Sequence, residues 1–506
     1  MRRLARADDA TLVLLLILGT GALRILFGLA LGLGMDESYM VAAGRELRLG
    51  YFDHPPAAWW LAWGASWLAG SDAAVIVRLP FIALFGLSTW LMYRLTATLY
   101  TPRAGLWAAV TLNLAPVFGV TTGGWVLPDG PLDAALLAAA LCLVHAMQGS
   151  GRRARLWWPA SGFCIGLALF AKYSAVLTFA GAGVYLLTQQ EHRRWLRRLE
   201  PYLAGLVAGL VFLPVLIWNA THGWASFAFQ AGRAGGAHFL PAMPLVTLGG
   251  EALFLLPWIW LPLMLVFVQA IRPGPREWRG WLLCCLAALP ILMFTLVAAW
   301  SSHRVLYHWA APGYLMLFPL LGVLVAGDLD RGRRVTRIWL TSTAVFVLLG
   351  VAVVGTQVRY GWLPGFSSHF PPGKDPSLEA VNWTELRPAL AARGLAGRRD
   401  LVVAGINWHD TGKIGYALGG SEPVVCLNTD DRQFGLDRPA DTAVGKDVLI
   451  VVRAEDAARA AAQYAPIFSR IETLPPVTIE HGGGAGLGLS LLLGHGLRAW
   501  PPPGLS

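Results

Sequence analysis

Charged residues are scarce in this chain. Asp, Glu, Lys and Arg make up 14% of its 506 residues, whereas an ordinary soluble domain carries about 25%. Hydrophobic residues make up 56%, and the mean hydropathy is +0.53. This composition disfavours an ordinary soluble domain and indicates a membrane protein.

Cysteine and lysine are scarce as well. Four of the five cysteines lie in apolar runs and one in the polar C-terminal part, and they form neither a disulfide framework nor the spacing of a zinc site. Only four of the 40 basic residues are lysines. Lys172 is the only lysine in the apolar part of the chain, which makes it a candidate functional residue.

The formal net charge is +10, which by itself could suggest a nucleic-acid partner. The basic residues, however, lie in short clusters between apolar runs, where they act as topology signals of a membrane protein. We therefore predict contact with membrane lipids and no nucleic-acid partner.

Eleven apolar runs are candidates to cross the roughly 30 Å of bilayer hydrocarbon. They lie at residues 11–34, 75–97, 105–121, 131–148, 157–171, 173–189, 201–218, 245–270, 280–300, 308–327 and 336–356. The first run follows three arginines, as in a signal peptide, but its length and the lack of a clear cleavage site favour a retained helix. The fold predicted is mainly α, a polytopic membrane protein with about eleven transmembrane helices.

A twelfth apolar stretch, residues 57–70, is only fourteen residues long, and a span needs about 20. If it does not span, the arginine clusters at 152–155, 193–198, 272–279 and 331–337 all face the cytoplasm, as the positive-inside rule requires. We therefore predict a Trp-rich helix in the membrane interface and a cytoplasmic N-terminus.

The composition changes after Tyr360, where prolines become frequent and a helix-like segment, 378–393, appears. Strand-like runs follow at 401–406, 424–427 and 448–452, and the apolar run 487–493 is too short to span and is typical of a further strand. We predict a membrane domain over residues 1–358, whose first outer loop covers 35–74, and a small α/β domain over 359–506 outside the cytoplasm.

Acidic residues stand at both ends of the first outer loop. Asp36 and Glu37 follow the first apolar run, while Asp53 and His54 precede a Pro-Pro turn and the 57–70 helix. Such charges can simply be solvated, but their combination at the membrane edge favours a polar pocket. The topology places them on the same outer side as Asp129 and Lys172, so that one site can contain them all.

Several motifs in this order resemble one family. They are Asp36-Glu37-Ser38-Tyr39, Gly50-Tyr51-Phe52-Asp53-His54-Pro55-Pro56, Arg78-Leu79-Pro80 and Pro128-Asp129-Gly130-Pro131-Leu132. The set resembles the membrane-embedded GT-C glycosyltransferases of family 39, which include the protein O-mannosyltransferases and the bacterial transferases that add aminoarabinose to lipid A. The resemblance covers roughly residues 10–330.

This resemblance implies GT-C architecture in residues 1–358 and an inverting transfer of a sugar, a hexose or pentose, from a polyprenyl-phosphate donor. The acceptor would be a hydroxyl of lipid A or lipopolysaccharide, another glycan or a protein, on the periplasmic face of the bacterial inner membrane. The transfer needs a base to take the acceptor's proton, and Asp36 is the candidate. Asp129 matches the second acidic residue of the family, although an Asp before Gly-Pro could also be a helix N-cap.

The leaving group is a lipid phosphate whose negative charge grows in the transition state, so cationic donors aimed at it lower the barrier. The candidates are His54, Lys172 and Arg304. Each has a simpler alternative: a surface histidine, a snorkelling lysine and an interface anchor, respectively.

Other residues of the predicted pocket are Glu37, Tyr39, Asp53 and Arg78. The sequence contains no motif that fixes a cofactor. A divalent metal ion could be held by Asp53 and Glu37 with His303, or with another outer histidine such as His222, His238 or His308, but no pair has the helical spacing of a metal site.

The chain departs from the aminoarabinose transferases in two places. It has Asp36-Glu37-Ser38-Tyr39-Met40 where they carry a string like Asp-Glu-Thr-Arg-Tyr, and His54 where they carry Lys. These differences argue against an aminoarabinose donor. A transporter or flippase of lipid-linked sugars is the alternative function, and a scaffold subunit with an outer domain is a third. The acids in outer loops favour the enzyme.

Overall fold

The structure is a computed structural model that describes residues 8–149, 151–233, 239–301, 305–363, 365–370, 375–480 and 486–502. Its α-helices are α1 (Asp9–Ala30), α2 (Met35–Ala43), α3 (Ala57–Ala69), α4 (Ala74–Leu99), α5 (Pro102–Leu114), α6 (Asp129–Gln148), α7 (Gly151–Ala171), α8 (Ala175–Thr188), α9 (Glu200–Thr221), α10 (Ala225–Gly232), α11 (Met243–Leu255), α12 (Pro257–Ile271), α13 (Trp278–Val297), α14 (Ala311–Leu315), α15 (Phe318–Asp330), α16 (Arg334–Tyr360), α17 (Leu386–Ala392), α18 (Trp408–Ala417), α19 (Gln433–Asp437) and α20 (Ala457–Tyr464). The strands are β1 (Leu401–Gly405), β2 (Val424–Cys426), β3 (Asp447–Arg453), β4 (Arg470–Ile479) and β5 (Leu487–His495).

Several of these helices are candidate membrane spans by length and composition. Among the described residues, six are long and apolar enough to cross a bilayer: α1, α4, α6, α9, α13 and α16. Two bent pairs raise the number to eight if each counts as one span. The chain is therefore a multi-pass membrane protein. Each predicted apolar run coincides with at least one helix, but the count of about eleven crossings is not confirmed.

The predicted span 245–270 is not one straight helix. It consists of α11 and α12, which meet at an angle of 111°. Leu256 lies between them with φ of 71° and directly precedes Pro257. A proline disfavours the α conformation in the residue before it, so the helix breaks at this point.

Contacts divide the chain into two units. The first contains residues 1–25, 48–58 and 79–347, and the second contains 26–47, 59–78 and 348–506. The predicted domain bounds, 1–358 and 359–506, and the periplasmic location of the second domain stay predictions.

Helices of the first unit approach one another closely at glycines. Gly162 of α7 lies against the backbone of Ala204 in α9, and Gly322 of α15 lies against that of Ala104 in α5, so that neither position has room for a Cβ atom. Small residues allow such approach in membranes, where packing rather than the hydrophobic effect brings helices together. The core beside these contacts is apolar and includes Phe118, Leu132 and Phe318.

The second unit contains a five-stranded sheet of order β2-β1-β3-β5-β4. β1 pairs in parallel with β2 and β3, whereas β5 runs antiparallel to β3 and β4. Alternate residues of β1 and β3 enter two separate apolar cores, because successive side chains of a strand point to opposite faces. Both faces of the sheet are therefore covered.

The four predicted strands are confirmed as β1, β2, β3 and β5, and β4 was not predicted. β4 lies at the edge of the sheet and contains Pro475 and Pro476 at an irregularity in its pairing, which is where a strand tolerates proline. The helix predicted at 378–393 is only the seven-residue α17. Pro388 cannot donate a helical hydrogen bond and must lie in the first turn, so the helix begins at Leu386.

The first outer loop contains two helices. The predicted helix at 57–70 is confirmed as α3, with Trp59 buried while Trp67 and Leu68 are 69% and 79% exposed; its position in a membrane interface stays a prediction. The segment 35–43, which we predicted as loop, is the helix α2.

Candidate active-site residues

Asp36, the predicted base, lies in the first turn of α2 and is exposed. An acidic side chain in this position is stabilised by the helix dipole. The next residue, Glu37, is buried, and its carboxylate accepts a hydrogen bond from the backbone N–H of Gly34 at 2.7 Å. Glu37 therefore holds the start of the helix, whereas Asp36 is the acid of this helix that solvent can reach.

Arg78 binds the Glu37 carboxylate with two hydrogen bonds, from Nε to Oε1 at 2.8 Å and from Nη2 to Oε2 at 2.6 Å. The same guanidinium donates to the carbonyl oxygens of Leu31 at 3.1 Å and Gly32 at 2.8 Å. Arg78 and Glu37 are 3% and 2% exposed. These contacts make the pair a structural element of the loop, and its part in a substrate pocket stays a prediction.

Tyr39 is buried by rings from the C-terminal part of the same unit. Its ring centroid lies 5.1 Å from that of Trp408 and 5.6 Å from that of Phe434. Its hydroxyl accepts a hydrogen bond from the backbone N–H of Gln433 at 3.3 Å. Tyr39 thus anchors α2 through these contacts. Its predicted role in a substrate pocket stays a prediction.

In the first unit, residues 50–54 form a tight turn. The N–H of Tyr51 donates to the carbonyl of His54 at 3.3 Å, and the carbonyl of buried Asp53 accepts a hydrogen bond from the side-chain amide of Gln230. Gly50 packs on the Trp218 ring so closely that an added Cβ would lie 2.9 Å from it. The turn is therefore held by contacts to two later helices, α9 and α10.

Asp129 and Lys172 form an ion pair in the same unit. Lys172 Nζ lies 2.9 Å from Asp129 Oδ1, and the two side chains are only 10% and 6% exposed. α6 begins at Asp129 itself, after Pro128, so Asp129 is not an N-cap. Because the lysine ammonium is buried and paired, Lys172 is not a snorkelling residue either.

The turn that carries Lys172 is fixed by the next residue. The Tyr173 hydroxyl lies 2.8 Å from the hydroxyl of buried Ser226 in α10, and the rings of Tyr173 and Phe227 meet edge to face at 5.1 Å. α10 therefore supports both the 50–54 turn, through Gln230, and the lysine turn.

His54 belongs to this group of charges, since the charges of Asp53, Lys172, Asp129 and Arg233 act on it. Burial lowers the pKa of His54 to about 4. The imidazole is therefore neutral at pH 7 and offers an N–H donor. This corrects the expectation of a cation at this position. Burial destabilises the charged imidazole by more than the nearby carboxylates stabilise it.

Arg233 supplies a second cation. Its guanidinium lies 4.5 Å from the ring centroid of Trp309 and 5.3 Å from that of Phe229, as in a cation–π contact. Its carbonyl accepts a hydrogen bond from Ser301 Oγ at 2.7 Å. Together, Lys172, Arg233 and the N–H of His54 make this part of the first unit suited to an anion, and a phosphate most of all.

Known proteins match different parts of the chain. The family model described as dolichyl-phosphate-mannose-protein mannosyltransferase matches residues 53–218. The lipid A galacturonosyltransferase RgtD of Rhizobium johnstonii is 25% identical over 188 residues, which cover 37% of this chain and 38% of that protein. The undecaprenyl phosphate-alpha-4-amino-4-deoxy-L-arabinose arabinosyl transferase of Erwinia tasmaniensis is 25% identical over 336 residues, covering 62% of this chain and 57% of the relative. The chain thus spans about half the length, or less, of these relatives.

A solved structure extends the likeness to the whole fold. The crystal structure of ArnT from Cupriavidus metallidurans bound to undecaprenyl phosphate covers 94% of this chain and 97% of its own, with a TM-score of 0.63 and 16% identity. These likenesses support a GT-C glycosyltransferase of the arabinosyl- and protein O-mannosyltransferase type. Together with the apolar helices, they support a multi-pass protein of the bacterial inner membrane.

Two residues of the polar group, Arg233 and Asp133, were not predicted from the sequence. Asp133 lies one helical turn after Asp129 and is buried, and its Oδ2 makes no hydrogen bond within the described residues. The spacing of four between the two acids places both on one face of α6, and this signal was present in the sequence.

The remaining predicted residues are the outer histidines and Arg304. Arg304, His303 and His238 lie outside the described residues. His222 is exposed and stacks on Trp218 at 4.3 Å, while His308 lies close enough to Asp129 and Lys172 for their charges to act on it.

The metal site also stays a prediction. No group of three or more His, Cys, Asp or Glu in the described part of the chain is arranged to hold a metal ion. Glu37 is bound by Arg78, and His303 is not described. Asp53 and Glu37 belong to different units, so a shared pocket for all predicted residues remains a prediction too.

Proposed function

We propose that the chain is an inverting glycosyltransferase that moves a hexose or pentose from a polyprenyl-phosphate donor, of the undecaprenyl type, to an acceptor hydroxyl on the periplasmic face of the inner membrane. The observation that carries this proposal is the buried ion pair of Asp129 and Lys172 in the first unit, together with the partly buried His54 and Arg233 near it. Buried ionisable residues are costly in a membrane protein and are typically functional.

The phosphate of the donor is the ligand that this group fits. The Lys172 ammonium has three N–H donors, and its pair with Asp129 uses one of them. Asp129 orients the ammonium, while Arg233 and the N–H of His54 add donors beside it. Arg304 is proposed as a further phosphate ligand from its position in the sequence alone.

The proposed transfer is a single displacement with Asp36 as base. The acceptor oxygen attacks the anomeric carbon as the bond from that carbon to the phosphate oxygen breaks, and the electron pair leaves with the polyprenyl phosphate. The acceptor's proton passes to the Asp36 carboxylate. One displacement inverts the configuration, and cations beside the phosphate stabilise the charge that develops on it.

Lipid A or lipopolysaccharide is the acceptor class that we favour over another glycan or a protein. One relative is named a lipid A galacturonosyltransferase, and another is named for an undecaprenyl phosphate-linked sugar. We do not extend the aminoarabinose donor to this chain, because Asp36-Glu37 is followed by Ser38-Tyr39-Met40, without the arginine of those transferases.

The membrane orientation is part of the proposal. We place the N-terminus in the cytoplasm and residues 359–506 in the periplasm. A reporter fused after Gly70 should then lie outside and one fused after Pro102 inside. The reverse result would mean that α3 crosses the membrane.

Transfer itself can be assayed with the full chain in liposomes that contain lipid A. The substrates would be polyprenyl-phosphate sugars that carry different pentoses and hexoses, and the products would be free polyprenyl phosphate and a heavier acceptor, detected by mass spectrometry. We expect Asp36→Asn to lower kcat by about 10²–10⁴-fold, while the exposed Asp441→Asn serves as the matched control. Full activity of D36N would remove Asp36 as the base.

Two other outcomes would replace the proposal. Movement of intact lipid-linked sugar across the liposome membrane without transfer would show a flippase. Unchanged lipid A, core oligosaccharide and glycoproteins in a deletion strain, analysed by mass spectrometry, would favour a scaffold.

A further inference from the structure

The second unit contains a close helix contact that involves the acidic helix α2. α18, which follows β1 of the sheet, lies against α2 at two glycines. A Cβ on Gly412 would lie 2.7 Å from Tyr39 Cα, and one on Gly415 would lie 3.1 Å from Ala42 Cβ. The helix that carries Asp36 is therefore packed, backbone to backbone, on the sheet domain.

The turn before α2 is held by cations. Arg78 bonds to the carbonyl oxygens of Leu31 and Gly32. The next carbonyl, that of Leu33, accepts a hydrogen bond from Lys413 Nζ at 2.5 Å. Three successive carbonyls, ending three residues before Asp36, thus point at positive charges.

Lys413 links this turn to a second segment. It lies in α18, and its ammonium also donates to the carbonyl of Val381 at 3.1 Å. The turn itself touches that segment, because a Cβ on Gly32 would lie 2.8 Å from the carbonyl oxygen of Ala380. One side chain therefore ties α18, the 380–382 segment and the start of α2 together.

A lysine is a costly residue for such a position. Lys413 is 2% exposed, and burial lowers its pKa to about 7. Four charges face it from the elements around it: Glu37 of α2 and Asp410 of α18 raise the pKa, whereas Arg78 of α4 and Arg453 of β3 lower it. An apolar side chain would fill the space without this cost, but it would leave the Leu33 and Val381 carbonyls without a donor.

We propose that Lys413 is a positioning residue of the transferase: its ammonium holds the turn at 31–33 and so fixes the helix start that carries Asp36. The inference rests on the proposed function, in which Asp36 is the base. It assigns the sheet domain a task in the reaction, namely to hold that base in place, rather than a separate binding activity.

The first test measures structure and needs no substrate. Hydrogen exchange of the backbone amides at 34–40 is compared between the wild-type full chain in detergent and Lys413→Met, with the exposed Lys446→Met as the control. We expect exchange in K413M to be faster by about tenfold or more, with β1 and β3 as protected as before. Unchanged exchange at 34–40 in a folded K413M would overturn the proposal.

The second test restores the contact by another bond. In A42C/G415C, a disulfide would join α2 to α18, because the two Cβ atoms are 3.1 Å apart and a disulfide needs roughly 3.5–4.5 Å, a small adjustment. We expect K413M to lower kcat by about 10–100-fold with little change in KM. In K413M that also carries A42C/G415C, the disulfide should recover most of the lost kcat, and a reductant should lower kcat again. A kcat of K413M equal to that of the wild type would overturn the proposal.

The wild-type chain gives a third measurement if K413M does not fold. An ammonium bonds to a carbonyl more strongly than a neutral amine does, so protection at 34–40 should fall as the pH rises through about 7. The fall should be absent in Lys413→Arg, whose charge is permanent. Protection that stays flat from pH 6 to about 8.5 in the wild type would contradict the inference. If the chain transfers no sugar, the proposed function fails, while the exchange results still decide the role of Lys413 in holding α2.

Discussion

Replacing Lys172 by methionine tests the central feature of the first unit. The change removes the cation 2.9 Å from Asp129 and leaves a carboxylate that is 6% exposed without its partner. At an effective dielectric constant of about 20, unit charges about 3 Å apart attract each other by roughly 5–6 kcal/mol. Much of that energy offsets the cost of burying the charges, yet breaking such a pair typically costs about 3–5 kcal/mol. We therefore expect Lys172→Met to lower the free energy of unfolding by about this amount.

The double variant D129N/K172M separates stability from activity. It removes both charges, so no uncompensated carboxylate remains, and replacing a buried pair by uncharged groups is often nearly neutral. We expect it to be at least about 2 kcal/mol more stable than the sum of the single effects predicts. It should still be inactive, because the proposed phosphate ligand is missing.

The assay is denaturant unfolding in mild detergent, followed by tryptophan fluorescence, together with the transfer reaction. Lys446→Met is the control, because Lys446 is exposed in the C-terminal part. Strictly additive single effects would refute the buried ion pair. A double variant that transfers sugar at the wild-type rate would refute the role of Lys172 at the phosphate.

Three further predictions concern other buried groups. Because the pKa of folded His54 is about 4 and that of an unfolded histidine about 6.5, the unfolded chain binds more protons between these values. Stability should fall as the pH drops from 6.5 towards 4, by on the order of 3 kcal/mol. The melting temperature should therefore fall over this pH range in the wild type and change less in H54Q. Equal slopes of melting temperature against pH in the two proteins would contradict this prediction. Glu37→Gln should cost about 3–5 kcal/mol, since it leaves buried Arg78 without its carboxylate, and E37Q/R78M should recover part of the loss in denaturant titrations. Asp133→Asn should leave stability unchanged or raise it by about 1–2 kcal/mol, because no described cation pairs with that carboxyl; a clear loss in the same titration would show that Asp133 has a partner.

The amino-acid sequence by itself was enough to predict the class of the protein and the positions of most elements. Runs of about 20 apolar residues must bury themselves in lipid as helices, so the spans and the short helix α3 followed from local pattern. The strands β1, β2 and β3 followed in the same way. The motifs around Asp36 and Asp129 carried the resemblance to the glycosyltransferase family, because each motif is contiguous in the chain.

Only the tertiary structure decided which charged groups pair with each other. Asp129 and Lys172 are 43 residues apart, and Glu37 and Arg78 are 41 apart. Local periodicity carries no information about such partners, since they depend on how helices pack. The neutral state of His54 has the same origin, because burial and neighbouring charges, not the residue type, set its pKa.

The C-terminal part shows most clearly which features follow from local pattern and which depend on tertiary structure. Its strands could be predicted as a small sheet from alternating and continuous apolar residues. Nothing in the local pattern indicated that α18 packs on α2, or that Lys413 reaches the carbonyl of Leu33, 380 residues earlier in the chain. Those contacts arise because two glycines let the helices approach and because a buried carbonyl needs a hydrogen-bond donor. Only the folded chain brings the Lys413 ammonium to the Leu33 carbonyl.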